Sequence, residues 1–389
     1  MLDWLIIGGG LHGTHLALVL TVRCGIAPER IRILDPHEEL LAHWERCTVA
    51  TGMTHLRSTI VHHLALDPHD LWHFAQRRGA APWQLLGPYR RPALGLFRDH
   101  CQMLIREHRL DRLHLRGRAS GLTRGEHGWC VATDAGSLAA RRVLLALSVG
   151  EQPRWPAWAV QLRAAGGPVR HLYGCEEPAV APGSGETVVV GGGISAAQVA
   201  VALARQAPGS VTLLMRHDIR IEAFDSPPGW VGPKELRGFH AEPSVERRRA
   251  MIRGARRPGS MSEDVARSLR RAERRGLLRI QRGEVRRATL QADGRVELDA
   301  AGLTLHAVSV LLATGFEQRR PGGAWLDQAI ADYDLPLAPC GYPVVAPSLA
   351  WAPGLYVTGA LAELELGPVA RNIAGARHAG ERLRIIGDG

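Results

Sequence analysis

The chain has 389 residues, 46% hydrophobic and 22% charged, which gives room for about two domains with full cores. A formal charge of +10 and a pI near 10.0 invite a nucleic-acid reading. That reading is set aside, because Lys234 is the sole lysine and the excess is arginine spread along an alanine- and glycine-rich chain. The densest stretch, from Arg247 to Arg286, reads as a solvated helical face or a patch that attracts a polyphosphate. Six cysteines (24, 47, 101, 130, 175, 340) form no C-x-x-C, which removes a redox dithiol and the common zinc spacings. No basic leader precedes the first strand and no apolar run is long enough to span a bilayer. The expectation is a cytoplasmic protein with reduced thiols, no membrane or nucleic-acid partner, and self-association left open.

Along the chain, Leu5-Ile6-Ile7 runs into Gly8-Gly9-Gly10-Leu11-His12-Gly13, a G-x-G-x-x-G directly after an apolar strand. In such a loop Gly8 makes the tight turn, Gly10 lets backbone approach a pyrophosphate, and Gly13 packs helix on strand. Ile31-Arg32-Ile33-Leu34 then ends at Asp35, about 20 residues on, where a carboxylate takes ribose hydroxyls. Trp44 follows, placed either against the cofactor or in the core. His62, His63, His69 and His73 crowd together, with no cysteine or paired carboxylate to complete a metal set. Gly128 to Gly136 reads as short strands with turns, and Val143 to Gly150 as a buried strand.

The grammar then repeats. Val188-Val189-Val190 precedes Gly191-Gly192-Gly193-Ile194-Ser195-Ala196, a G-x-G-x-x-A. Val211 to Met215 ends at Arg216, at the offset that Asp35 holds in the first unit, and an arginine there suits a 2′-phosphate. Site one therefore reads as FAD and site two as NADPH. Strand and turn signals continue to Val310-Leu311-Leu312-Ala313-Thr314-Gly315, and Gly354 to Gly359 reads as a strand returning to the first domain. The expected fold is α/β, with two Rossmann-like dinucleotide-binding domains, each with a β-meander, the second inserted in the first. The boundaries fall at 1–158, 159–320 and 321–389, with linkers in the Pro-rich 151–158 and the Pro/Gly-rich 317–323.

With these segments in view the chain resembles the flavin-dependent N-hydroxylating monooxygenases, the lysine and ornithine N-oxygenase family. The paired fingerprints carry the resemblance, with Ser195 as in the family's nucleotide loop. So do Ala313-Thr314-Gly315-Phe316, the D-S-P segment Asp225-Ser226-Pro227, and His55-Leu56-Arg57-Ser58 followed by Asp67-Pro68. The resemblance implies that NADPH reduces FAD, that O₂ adds at flavin C4a to give a hydroperoxide, and that a nucleophilic nitrogen takes its distal oxygen. It puts Thr314 and Gly315 at the cofactors. It also aligns Arg57 with the lysine that holds the substrate's carboxylate in the family, with His55 beside it against substrate or flavin. The family's phenylalanine and aspartate are His55 and Ser58 here. The acidic residue usual after the last glycine is absent at Gly359-Ala360, and Gly367-Pro368 is expected instead to open a helix through Arg384 that points at the isoalloxazine.

The implied function is hydroxylation of a nitrogen on a small, carboxylate-bearing metabolite. Sulfur oxidation and flavin reduction without oxygenation keep the same cofactors and stay open. Baeyer–Villiger chemistry is disfavoured by the missing F-x-G-x-x-x-H-x-x-x-W. A nucleotide-binding protein without turnover is disfavoured by intact glycines in both loops.

Overall fold

The structure is a computed structural model that describes residues 1–174 and 185–387. Cys175 lies outside these residues. The strand Leu2–Ile7 is the centre of the first sheet, pairing in parallel with Ile31–Asp35 on one side and Gly136–Leu145 on the other. Its Leu5 and Ile6 are fully buried, as expected for a parallel strand covered on both faces. The sheet runs Ala350–Ala352, Leu355–Val357, Gly136–Leu145, Leu2–Ile7, Ile31–Asp35, His114–Arg116. Leu355–Val357, from the far end of the chain, pairs in parallel with Gly136–Leu145, so the C-terminal piece does return to the first sheet. Ala119–Gly125 and Gly128–Thr133 hairpin onto the same strand and form the meander.

The second sheet is parallel throughout, in the order Leu278–Arg282, Val211–Met215, Thr187–Val190, Ser309–Leu312, Val169–His171. Its meander is a separate antiparallel sheet of Arg287–Leu290, Val296–Ala300 and Leu303–Ala307. Trp158, Val188, Leu214 and Leu298 pack the two together. The chain crosses between the two sheets twice, and the crossings are stitched antiparallel. Arg154 N–H donates to Gly315 O at 2.9 Å and Glu317 N–H donates to Gln152 O at 2.8 Å.

Two expectations are corrected here. The strand read as Val143 to Gly150 stops at Leu145, and Ser148 then caps a short turn by accepting from Gly150 N–H at 3.0 Å. The C-terminal helix does not begin at Pro368. Pro368–Arg371 is a single tight turn, Asn372 is extended, and the helix runs Ile373–Gly387. Asn372 is held out of the helix because its carbonyl and its side chain are both engaged elsewhere, by His12 and Asp225.

The inserted segment also leans on the C-terminal piece. Helices Pro233–Ala241 and Val245–Ala255 share a core with Tyr342, Leu364, Val369 and Ala374. Over this core Glu363, fully buried, pairs with Arg249, with Arg256 at 2.6 Å and with Arg371 at 2.9 Å. The three guanidinium groups hold its carboxyl below the ordinary range against the opposing effect of burial.

Candidate functional site

At the first glycine loop, Gly8 has φ +112°, and a Cβ there would stand 2.5 Å from the Ala146 carbonyl oxygen. A Cβ at Gly13 would overlap the Gly8 carbonyl oxygen. Both glycines are therefore required by the packing of the chain itself. Gly10 is different, because a Cβ there would meet no atom within 4 Å. Gly10 precedes the helix Leu11–Leu18, whose N-terminus no side chain caps. Open space against uncapped helix amides is what a pyrophosphate needs.

Asp35 braces this loop. Its Oδ2 accepts from Gly9 N–H at 2.6 Å and its Oδ1 from His37 N–H at 2.9 Å, which leaves one further lone pair on each oxygen for a ribose hydroxyl. His37 stacks on His43 with centroids 5.3 Å apart beside it. Trp44 is half-buried and packs on the core, tilted against Phe97 at 5.4 Å.

His12, which the sequence reading did not single out, ties the loop to the C-terminal piece. Its Nε2 lies 3.0 Å from Asn372 O and its Nδ1 3.0 Å from Thr358 Oγ1. Burial lowers its pKa to about 4, so the ring is neutral at pH 7. A carbonyl can only accept, so Nε2 carries the proton and Nδ1 accepts from the Thr358 hydroxyl. Gly359, with φ +62°, lies beside this ring. The available signal was a histidine inside the glycine loop.

At the second loop a Cβ on Gly191 would overlap the Ala313 carbonyl. Gly193 precedes the uncapped helix Ile194–Gln206, but it is more covered than Gly10, since a Cβ there would lie 3.6 Å from Gly259 Cα. The His217 ring closes on Gly192, 2.8 Å from where its Cβ would stand. Tyr173 donates its hydroxyl to Ser195 Oγ at 2.6 Å, and burial pushes the Tyr173 pKa up to about 12, so it stays a donor. The Ser195 hydroxyl hydrogen then remains to be given to a phosphate. Arg216 ends its strand 60% exposed, with Glu284 3.8 Å away, a surface pair too weak to withhold it from an anion.

Thr314 and Gly315 take part in the domain crossing. Thr314 Oγ1 donates to Arg154 O at 2.5 Å and faces His171 Nε2 at 3.2 Å. Burial lowers the His171 pKa to about 4, so that ring is neutral and donates to the Thr314 oxygen.

The structure also gives the surroundings of Arg57, His55, Gly367 and Pro368. Arg57, half-buried, reaches the inserted segment. Its Nη2 donates to Glu222 O at 2.8 Å, Phe224 O at 2.7 Å and Ser260 Oγ at 2.9 Å, and its Nε to Ala223 O at 3.3 Å. His55 sits on a ribbon edge, bonded to Trp83 O at 2.8 Å. Gly367 and Pro368 are enclosed, with Leu236 and Phe239 lying against Gly367, so neither is an open helix end at a ring. The sequence placed all four near the flavin, but which neighbour takes a side chain's donors is decided by loops distant in the chain.

The loops are joined across the interface. Asn372 Nδ2 donates to Asp225 Oδ1 at 3.1 Å, and Arg257 N–H to Asp225 O at 2.7 Å, two residues from Gly259. Among the described residues no three His, Cys, Asp or Glu side chains gather as a metal site would need, and no helix is long and apolar enough to cross a membrane.

Residues 5–150 match the FAD-NAD(P)-binding family model. Solved structures align over nearly the whole chain. The reduced form of the ornithine hydroxylase of Pseudomonas aeruginosa aligns with a TM-score of 0.76 at 18% identity, covering 100% of this chain and 98% of that one. The FAD-bound cadaverine monooxygenase of desferrioxamine biosynthesis from Erwinia amylovora gives 0.74 at 14% identity, covering 98% and 93%. The L-lysine 6-monooxygenase of Pseudomonas syringae gives 0.72 at 18%, covering 100% and 99%. The chain has the fold of these monooxygenases. No curated protein matches it in sequence. The coverage extends through both sheets and the returning C-terminal piece, so the likeness is one of the whole architecture and not of a single nucleotide-binding unit.

Proposed function

We propose that the protein is an FAD- and NADPH-dependent monooxygenase that uses O₂ to hydroxylate a nucleophilic nitrogen of a small metabolite. The observation that carries this reading is the open Gly10 at an uncapped helix, joined through His12, Asn372, Asp225 and Arg257 to the turn over the second loop. In this reading 1–158 and 321–389 form the FAD domain and 159–320 the NADPH domain. Gly8, Gly10, Gly13 and Asp35 hold FAD. Gly191, Gly193, Ser195 and Arg216 hold NADPH. FAD reduced by NADPH supplies the activation of O₂, and the chain's own work is placement and the exclusion of water.

A substrate amine must present a neutral nitrogen, although a free alkylamine has a pKa of ~10. Neighbouring cations and burial both lower that value. The expectation of a carboxylate on the substrate rested on Arg57, whose Nε and Nη2 donate to protein oxygens. Diamines therefore belong in the test beside amino acids.

The test is an NADPH-oxidation screen with purified, FAD-loaded protein over ornithine, lysine, cadaverine and thiols, with mass spectrometry of the products. The expected result is amine-dependent NADPH oxidation and a product heavier by one oxygen. Oxygen transferred only to sulfur would give the sulfur-oxygenating alternative. NADPH oxidation that yields peroxide with every compound, and no oxygenated product, would leave a flavin reductase.

A further inference from the structure

The Arg57 contacts reach across to the segment beside the second glycine loop. Arg57 lies on the FAD side, on a ribbon where Leu56 N–H donates to Pro92 O at 2.9 Å. Its guanidinium crosses to the inserted domain and closes on two short parallel strands, Arg220–Ile221 and Ser260–Met261. It takes the carbonyls that follow the first strand and the hydroxyl that opens the second. Among the described residues no carboxylate lies within ion-pair distance of it. From the same ribbon Arg91, buried, pairs with Asp264 at 2.5 Å, four residues past Ser260.

What these contacts hold is the turn ending at Ser260. The Ser260 hydroxyl accepts from Arg57 and donates to Arg257 O at 2.6 Å, which closes the turn on itself. Gly259, with φ +73°, sits at its tip and faces Gly193 across the second loop. A pyrophosphate seated at Gly193 must share that space with Gly259. The position of this turn thus sets the width of the coenzyme seat, and Arg57 fixes that position from the other domain. We infer that Arg57 is a positioning residue for the coenzyme: it holds the 257–261 turn at the depth that lets NADPH seat on the second loop.

This inference rests on the NADPH reading proposed above. The test uses FAD-loaded wild type, Arg57→Ala, Arg57→Lys and Ser260→Ala, without amine. Two quantities are read: the Kd for NADP⁺, and amide hydrogen exchange across 257–261. Arg57→Ala is expected to weaken NADP⁺ roughly tenfold or more and to speed exchange in the turn. Arg57→Lys, which keeps the charge but loses the fork, should recover part of the loss. Ser260→Ala should shift both quantities in the same direction with flavin content intact, and it decides the matter if Arg57→Ala fails to fold. In turnover the KM for NADPH should rise while the KM for amine stays put. Unchanged exchange at 257–261, or a raised amine KM with unchanged NADP⁺ affinity, overturns the inference. A wild type that binds no NADP⁺ overturns the coenzyme role together with the functional reading, and is told apart from a failed strut because exchange then still responds to Arg57.

Discussion

Gly10 allows the first nucleotide site to be tested apart from the fold. Its backbone, at φ −75° and ψ −170°, is open to any residue, and a Cβ there meets nothing within 4 Å. Gly10→Val should therefore leave the apoprotein as stable as wild type, or slightly more so, since replacing glycine restricts the unfolded chain by about 0.4–1 kcal/mol. The side chain would instead occupy the space in which a pyrophosphate approaches the amides of the helix Leu11–Leu18. Losing two charge-assisted hydrogen bonds, each contributing about 1.5–3 kcal/mol, weakens FAD by roughly 10²–10⁴-fold. Gly13→Ala is the contrast, because its Cβ overlaps the Gly8 carbonyl oxygen and should lower the apoprotein Tm before any cofactor is added. The assay is a flavin-fluorescence titration of apoprotein alongside its melting curve. Gly10→Val purifying with normal flavin stoichiometry, or melting many degrees below wild type without flavin, would refute the reasoning.

Other outcomes follow from the same geometry. Arg216→Ala should narrow the NADPH over NADH preference by roughly ten- to a hundredfold, since a paired contact to a phosphate contributes on the order of 1.5–3 kcal/mol; equal use of both coenzymes by wild type would remove Arg216 from the site. Glu363→Gln keeps the shape of the buried hub but leaves Arg249, Arg256 and Arg371 without their counter-charge, which should cost about 3–5 kcal/mol and lower Tm by roughly 4–6 °C. A Tm within a degree of wild type would show the three arginines re-pairing elsewhere. His15 and His63 are buried, and desolvation lowers their pKa values from 6.5 to about 4 and about 3. Both are neutral in the fold and gain protons first when unfolded, so their contribution is full above pH 6.5 and is lost as pH falls from there through the folded values. Between pH 7.5 and 5.5, where ordinary carboxylates do not titrate, urea unfolding should lose roughly 1.4 kcal/mol for each ring. His63→Gln should flatten that slope, and stability that does not change over this interval would contradict the burial argument.

Much of the architecture was legible in the chain because it is written in local patterns. An apolar strand followed by spaced glycines specifies strand, turn and helix from contacts made within about a dozen residues. The steric need of Gly13 is local, set by the Gly8 carbonyl, whereas Gly8 and Gly191 are required by Ala146 and Ala313 at the ends of adjoining strands and were legible only through the spacing of the glycines. The return of Leu355–Val357 to the first sheet was also legible, because a short buried apolar strand ending in glycine needs a sheet to join. The ends of elements were less legible. Pro368 marks a helix start in sequence, but Asn372 delays it by engaging His12 and Asp225, residues far away along the chain.

The side chains between the domains were decided by tertiary structure alone. Sequence alignment with a family motif placed Arg57 near substrate, yet its donors go to the carbonyls of 222–224 and to Ser260, more than 160 residues onward. His12, inside the first glycine loop, is a tie to the C-terminal piece that the fingerprint alone does not announce. A sequence states that an arginine must find acceptors. Which acceptors it finds depends on where two independently built sheets come to rest against each other, and that is set by the summed packing of their shared cores rather than by any local pattern.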